Sequence, residues 1–298
     1  MAIDFERLRD WSFPELRHRV TPRDTILYAL GAGLGVPADD PAQLAYLYEK
    51  DLLALPTMAV VLGYRGFWLQ DPATGVDWRR VLHGEQRISL HGPLPVEGEV
   101  ITRQFVSALI DRGPERGGVL TLTRELLDET GALLARIEHL SLLSGDGGFG
   151  GSHGRAEPPS PCPDRAPDMV TDLPMSERAA LIYRLSGDYN PLHIDPAVAR
   201  SAGFDRPIVH GLCTFGVVGH ALLKAHADYK PDRLRSFGGR FSAPVFPGET
   251  IRVESWVEDG RIAVRARARE RDVVIFDRGS AVVVDPDTPW GDGDARAA

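Results

Sequence analysis

Residues 210–225, HGLCTFGVVGHALLKA, predict a long helix that is apolar on almost every side. Its glycines, which allow other segments to approach closely, are Gly211, Gly216 and Gly219. Its bulky apolar side chains, which are suited to a core, are Leu212, Phe215, Val218, Leu222 and Leu223. A helix this apolar must be buried, and the simplest cover for it is a β-sheet curled round it.

The segments around this helix have counterparts in the first half of the chain. Three pairs match: TILYALGAG at 25–33 with ALIYRLSGD at 180–188, PLPVEGEVI at 93–101 with APVFPGETI at 243–251, and His83-Gly84 with His210-Gly211. Alternating β-rich runs follow in both halves, separated by turn residues such as Asp259-Gly260, as in antiparallel hairpins. A duplicated antiparallel unit is the economical explanation.

A Gly- and Pro-rich stretch separates the two halves. Residues 145–168 contain GDGGFGGSHG and EPPSPCPDRAPD and show no apolar periodicity, which is typical of a linker. We therefore predict an N-terminal domain at 1–148, a linker at 149–168 and a C-terminal domain at 169–298.

The segment GDYNPLHIDPAVA, residues 187–199, places an acid, an amide and an imidazole around one helix start. Gly187 is suited to end the preceding helix, and Asn190 before Pro191 is suited to cap a short new turn that carries His193. Asp195 before Pro196 repeats the same signal and predicts another short helix, which ends near Gly203.

Helix caps on both sides of His193 would fix the backbone there. Proton transfer requires such a fixed position, because a general acid or base must be held within hydrogen-bond reach of the proton that it moves. Histidine has a pKa suited to this work, and a desolvated aspartate can be tuned toward it. The alternative is that Asp188 and Asn190 only cap helices and that His193 is an ordinary interior histidine.

The string GDYNPLHID, followed by RPIVHGLCTFG, resembles the signature of the hydratase 2 branch of the MaoC-like dehydratases, the (R)-specific enoyl-CoA hydratases. The similarity extends to the hydratase part of peroxisomal multifunctional enzymes of type 2 and covers most of the chain, through RDTILYALGAG, VLHGEQ, PLPVEGE, GDGGFGG and GRFSAPVFPGET. It implies an α+β double hotdog fold, with two antiparallel sheets each curled around a helix.

The resemblance also implies reversible addition of water to a trans-2-enoyl-CoA, giving a (3R)-3-hydroxyacyl-CoA, which is a hydro-lyase reaction. Asp188 and His193 would grip one water, and Asn190 would orient that water or the histidine. The backbone N–H of Gly211 would bind the thioester oxygen. Gly33 stands where the second half has Asp188, so we expect one active site per chain, in the C-terminal domain.

Substrate contacts are implied in the same way for a larger set: His83, Gly84, Arg112, Tyr189, Pro191, Leu192 and Phe241. Arg112 is suited to a CoA phosphate because its guanidinium binds phosphate bidentately. The alternatives are that Gly211 is a packing glycine, Arg112 a solvated turn residue and Phe241 a core residue. A thioesterase and a catalytically silent acyl-CoA-binding protein are the rival functions.

Composition narrows the partners. The net charge of −8 argues against a surface that binds nucleic acid. No apolar run is long enough for a membrane span or for the hydrophobic core of a signal peptide. Cys162 and Cys213 do not suggest a disulfide framework, so we expect a cytoplasmic protein.

The spacing of Asp188, His193, Asp195 and His210 matches no known metal-binding motif, so we expect no metal and no cofactor besides the substrate's CoA. A homodimer is compatible with the sequence.

Overall fold

A computed structural model of the chain describes residues 3–156 and 158–291. Residues 1–2, 157 and 292–298, which fall within the predicted domains and linker, lie outside the described residues. The helices are α1 Phe5–Arg9, α2 Pro22–Gly31, α3 Pro41–Leu44, α4 Ala179–Tyr183, α5 Pro196–Ser201 and α6 Gly211–His226. Short 3-10 helices span Pro56–Val60, Trp68–Gln70, Pro72–Thr74, Trp78–Arg80, Arg184–Ser186, Pro191–His193 and Pro231–Arg233.

The described strands form one antiparallel sheet. They are β1 Leu16–Val20, β2 Val81–Leu90, β3 Gly98–Asp111, β4 Gly118–Leu127, β5 Leu133–Leu143, β6 Ser152–His153, β7 Met169–Pro174, β8 Leu234–Phe241, β9 Thr250–Glu258, β10 Arg261–Ala268 and β11 Val273–Val283. Their order is β1-β3-β4-β5-β2-β8-β11-β10-β9-β7, with the short β6 paired to β3. The predicted double hotdog is confirmed, and its two half-sheets are joined edge to edge.

The joint between the halves is the pairing of β2 with β8, from Glu85 opposite Arg240 to Ser89 opposite Ser236. The buried Glu85 carboxylate accepts hydrogen bonds from Arg240 at 2.7 and 3.1 Å, and from Arg87 at 3.1 Å. A charge-assisted contact therefore supports the backbone pairing at this seam.

Strand β10 shows why these residues form a sheet. Ile262, Val264, Ala266 and Ala268 are buried on one face, and the arginines between them face outward, which is the period-two pattern of a half-buried strand. The turn before β10 is made by Asp259 and Gly260, both with positive φ, as expected for a tight hairpin. The hairpin predicted at this dipeptide is confirmed.

Helix α6 lies in the core of the C-terminal half and is buried from Cys213 to Leu223. A Cβ atom at Gly219 would lie 2.4 Å from Cγ2 of Thr57, so only glycine permits this approach. Thr57 belongs to the buried 3-10 helix Pro56–Val60, which packs against β2 and β5 as well as α6. This short 3-10 helix therefore lies between α6 and the N-terminal half-sheet.

One of the internal matches read from the sequence is wrong. His83-Gly84 lies on strand β2, whereas His210-Gly211 forms the N-terminus of α6. Two shared residues do not determine secondary structure, because the surrounding sequence and the tertiary contacts decide whether they lie in a strand or at the start of a helix. In the part of the chain that the structure describes, no helix has the length and apolar character needed to cross a bilayer.

Candidate active site

The loop between α4 and α5 has the local structure that its sequence predicts. Gly187 has φ +115° and ends the helical stretch that α4 begins. Asn190 caps the turn Pro191–His193, its side chain accepting a hydrogen bond from the Leu192 N–H at 3.0 Å. Asp195 caps α5 through the N–H groups of the first turn. The caps hold the loop on both sides of His193.

The imidazole of His193 is 8% exposed and fixed by its own hydrogen bond. Its Nδ1 lies 2.9 Å from the carbonyl oxygen of Ile208, so Nδ1 carries the proton and Nε2 is left with a lone pair. Burial lowers the pKa of His193 below its usual 6.5, against the opposing effects of this carbonyl and of Asp188. The ring is therefore neutral at pH 7 and offers a basic nitrogen.

Asp188 is half-buried on the loop that precedes this turn. One carboxylate oxygen accepts a hydrogen bond from the Asn190 N–H at 3.1 Å. A carboxylate oxygen of Asp188 also lies within 4.8 Å of a ring nitrogen of His193 and of a ring nitrogen of His210. Acid and imidazole thus converge as predicted, and the second histidine joins them.

His210 was not predicted as a site residue. Its ring is 1% exposed, its Nε2 lies 3.1 Å from the Asp188 carbonyl oxygen, and its centroid is 3.7 Å from that of His193. Burial is the main cause that lowers its pKa to about 4. The sequence signal was its position directly before a helix, since such a residue lies beside the helix N-terminus.

Gly211 begins α6, and the first helical hydrogen bonds run from the N–H groups of Cys213 and Thr214 to the His210 carbonyl. Among residues 3–156 and 158–291, no acceptor is recorded for the Gly211 N–H. It is therefore available, at the positive end of a 16-residue helix, to bind a negative oxygen.

The structure brings His83 and Phe241 to Gly211. An added Cβ at Gly211 would lie 3.6 Å from the Phe241 ring, whose centroid is 4.7 Å from that of His83. The His83 ring in turn stacks on His139 at 3.7 Å. Gly84 lies at a register shift in β2, where a side chain would crowd Leu140. Both halves of the molecule therefore contribute walls to one site.

The other predicted contacts differ in their surroundings. Tyr189 is 59% exposed, and the guanidinium of Arg184 lies over its ring. Pro191 is exposed and Leu192 half-buried on the same turn. The Oδ1 of Asn190 accepts the cap hydrogen bond, which leaves its second lone pair and the Nδ2 amide hydrogens to orient a water or a ligand.

Arg112 lies further away, at the end of β3. Arg112 lies at the same end of the sheet as His83. The register shows this, because Asp111 pairs with Gly118, Gly118 with Leu143, and Leu143 with Val81. Three strand spacings, roughly 14 Å, separate them. The Arg112 guanidinium donates to the Arg116 carbonyl at 2.8 Å. The geometry is compatible with a contact to a distant part of a long ligand, not to the reacting atoms.

The donor atoms of Asp188, His193 and His210 also meet the distance requirement for holding a metal ion. The near-parallel stacking of the His193 and His210 rings, with centroids 3.7 Å apart, nevertheless keeps their in-plane lone pairs from converging on one ion, and the expectation of no metal stays a prediction.

Two family models match the chain in succession. The MFE-2 hydratase 2 N-terminal domain matches residues 18–145, and the MaoC like domain matches residues 160–276. Together they account for both halves of the fold.

Individual relatives match over most of the chain. The 3-hydroxyacyl-thioester dehydratase Y of Mycobacterium tuberculosis is 39% identical, over 95% of this chain and 99% of its own length. The peroxisomal enoyl-CoA hydratase 2 of Arabidopsis thaliana is 37% identical, over 88% of this chain and 90% of its own. The structure of full-length peroxisomal multifunctional enzyme type 2 from Drosophila melanogaster aligns with a TM-score of 0.78 and 36% identity, over 91% of this chain and 48% of that longer chain. The chain therefore belongs to the MaoC-like dehydratases, in the branch that also carries the MFE-2 hydratase 2 N-terminal domain.

Proposed function

We propose that the protein is an (R)-specific enoyl-CoA hydratase, a hydro-lyase that adds water reversibly to trans-2-enoyl-CoA thioesters. The observation that carries this proposal is the convergence of the Asp188 carboxylate with the neutral His193 ring. The relatives named 3-hydroxyacyl-thioester dehydratase and enoyl-CoA hydratase 2 support the same reaction.

One water lies between the two side chains in this mechanism. The Asp188 carboxylate accepts one of its hydrogens and orients it, while the lone pair on His193 Nε2 accepts the other. As the water oxygen bonds to the β-carbon, that proton passes to His193 and then to the α-carbon. The hydroxyl and the proton of a single water thus add to the same face of the alkene.

Negative charge grows on the thioester oxygen as the β-carbon is attacked. The Gly211 N–H at the start of α6 stabilises this oxygen, and the helix dipole adds to the effect. The N-terminal half contributes His83 and, next to it, Gly84 to the walls of the site. Phe241 of the C-terminal half packs between His83 and Gly211. Tyr189, Pro191 and Leu192 line the loop side, and Arg112 meets the CoA phosphates.

Further expectations are part of the proposal. The substrate is an acyl-CoA from fatty acid metabolism, with β-oxidation as the process that fits the reaction. No metal or separate cofactor takes part in the chemistry, and the chain works as a cytoplasmic homodimer without nucleic acid or membrane partners. The domain limits at 1–148, 149–168 and 169–298 remain predictions as well.

The test follows two signals during incubation with a trans-2-enoyl-CoA: the absorbance of the conjugated enoyl thioester and the release of free thiol. We expect absorbance to fall without thiol release, and the product to be the (3R) alcohol by chiral analysis. Thiol release would identify a thioesterase instead, and no change in either signal would identify a protein that only binds acyl-CoA. Either result refutes the hydratase.

A further inference from the structure

Asp111, at the end of β3, binds backbone N–H groups from two separate segments. One carboxylate oxygen accepts hydrogen bonds from Gly113 and Gly148, both at 2.8 Å, and the other oxygen accepts one from Gly150 at 2.7 Å. Hydrogen bonds to a carboxylate are stronger than those between neutral groups. The side chain therefore joins the turn that follows β3 to the glycine-rich loop, residues 145–151.

The glycine-rich loop lies directly against this turn. An added Cβ atom at Gly147 would collide with the Gly113 carbonyl oxygen, so only glycine permits the approach. Within the loop, the Phe149 ring stacks on Phe5 with centroids 6.4 Å apart. Strand β5 before the loop and the short β6 after it both belong to the sheet. The loop is thus a fixed support for the turn.

The turn carries two arginines that have no carboxylate partner among the residues that the structure describes. Nη2 of Arg112 donates to the Arg116 carbonyl at 2.8 Å, and Nε of Arg116 donates back to the Arg112 carbonyl at 3.1 Å. The neighbouring Asp111 forms no ion pair with either of them, since its oxygens bind the backbone. The positive charge of the turn is therefore not neutralised by the nearest acid.

The position of the turn suits the phosphates of CoA. It lies at the sheet end that carries His83, three strands away from it. In CoA the phosphates lie at the opposite end of the pantetheine arm from the thioester, so they must be bound at a distance from the reacting atoms. A guanidinium group binds phosphate oxygens through charge-assisted hydrogen bonds. In a chain of net charge −8, such a ligand requires local positive charge.

We propose that Asp111 is a positioning residue for the recognition of the CoA phosphates. It holds the glycine-rich loop against the turn, and so fixes the backbone from which the Arg112 side chain extends, without neutralising the guanidinium. Asp111 itself does not touch the substrate. The kinetic consequences rest on the proposed hydratase function, whereas the binding of free CoA is measured without it.

The kinetic test compares two thioesters that carry the same enoyl group. One is the CoA thioester, and the other is the N-acetylcysteamine thioester, which lacks the phosphates. In Asp111→Ala we expect KM for the CoA thioester to rise about tenfold, the effect of weakening one hydrogen bond to a charged group. We expect kcat for both substrates, and KM for the N-acetylcysteamine thioester, to stay unchanged. A general loosening of the fold would affect both substrates alike.

Two further variants control for folding. Asp111→Asn keeps one accepting oxygen, so it should raise the same KM by a smaller factor while disturbing the turn less. Asp128→Ala is the matched control, because Asp128 also accepts two backbone N–H groups in a turn, those of Thr130 and Ala132. That turn follows β4 at the opposite end of the sheet, so both KM values should stay as in the wild type.

A double variant tests whether Asp111 acts through Arg112. Arg112→Gln removes the charge and should itself raise KM for the CoA thioester. If the role of Asp111 is to position this guanidinium, adding Asp111→Ala to Arg112→Gln should change KM little further, because the two effects are not additive. A full second tenfold rise, an unchanged KM in Arg112→Gln, or equal rises for both thioesters would each overturn the proposal.

Calorimetry with free CoA measures the same recognition without turnover. We expect Asp111→Ala to bind CoA about tenfold more weakly than the wild type does, and Asp128→Ala to bind it equally well. Equal CoA affinity in Asp111→Ala and the wild type would overturn the proposal. If Asp111→Ala loses affinity as expected but the wild type hydrates neither thioester, the proposed function fails and the positioning role of Asp111 stands.

Discussion

His210 donates a hydrogen bond from Nε2 to the backbone oxygen of Asp188 at 3.1 Å, and so joins the start of helix α6 to the loop that carries the acid. The same ring stacks on His193 with centroids 3.7 Å apart. The next residue, Gly211, offers the N–H proposed for the thioester oxygen. One side chain therefore contacts or adjoins Asp188, His193 and Gly211, the three groups proposed to act on the reacting atoms.

His210 is thus a positioning residue. His210→Phe keeps a ring against His193 but loses the hydrogen bond to Asp188, so we expect kcat to fall about tenfold with little change in KM, because misplaced catalytic groups slow the chemistry more than binding. His210→Gln restores a donor and should recover part of kcat. A merely structural role would instead give two variants that differ in thermal stability and not in kcat.

Asp188→Asn and His193→Ala should each lower kcat by roughly 10²- to 10⁴-fold, since each removes one side of the grip on the water. Steady-state rates and circular dichroism together separate this loss from unfolding. The control is Asp195→Asn, which changes a nearby exposed carboxylate and retains a residue suited to capping α5. Rates in Asp188→Asn that match those of this control would remove Asp188 from the mechanism.

The rate should depend on pH through His193. Its pKa is lowered below 6.5 by burial, and only its neutral form accepts a proton, so kcat/KM is at its full value at pH 7 and falls as the pH drops through this lowered pKa. A short enoyl thioester of N-acetylcysteamine avoids the titrating phosphates of CoA in this measurement. An acid limb with an apparent pKa above 6.5 contradicts the assignment.

The close approach at Gly219 makes a packing prediction. Gly219→Ala places a methyl group 2.4 Å from Cγ2 of Thr57 and should lower the free energy of unfolding by about 1 to 3 kcal/mol. Thr57→Ser removes Cγ2, so the double variant should recover part of that loss. Chemical denaturation of the four proteins checks this, and additive effects would show that the two residues do not compete for space.

Local chemistry was predictable from the sequence, whereas contacts between distant segments were not. The turn at Pro191–His193 and its Asn190 cap depend on neighbouring residues, and the structure has them as expected. The place of His210 beside Asp188 depends on two segments 22 residues apart, which no local pattern encodes. Likewise, His83-Gly84 was matched to His210-Gly211, which begins a helix, but it lies in strand β2. That strand forms by pairing with β5 and β8, which are distant in sequence.

The seam between β2 and β8 has a consequence for substrate choice. Five successive residue pairs, from Glu85 with Arg240 to Ser89 with Ser236, make the two halves a single backbone ladder. A hinge needs a crossing with few backbone contacts, whereas this crossing is an uninterrupted ladder of paired residues. We therefore expect the placement of His83 on one half relative to Gly211 on the other to be set when the chain folds, without rotation of one half against the other. A bulkier acyl group would then require smaller side chains around His83 and Gly211.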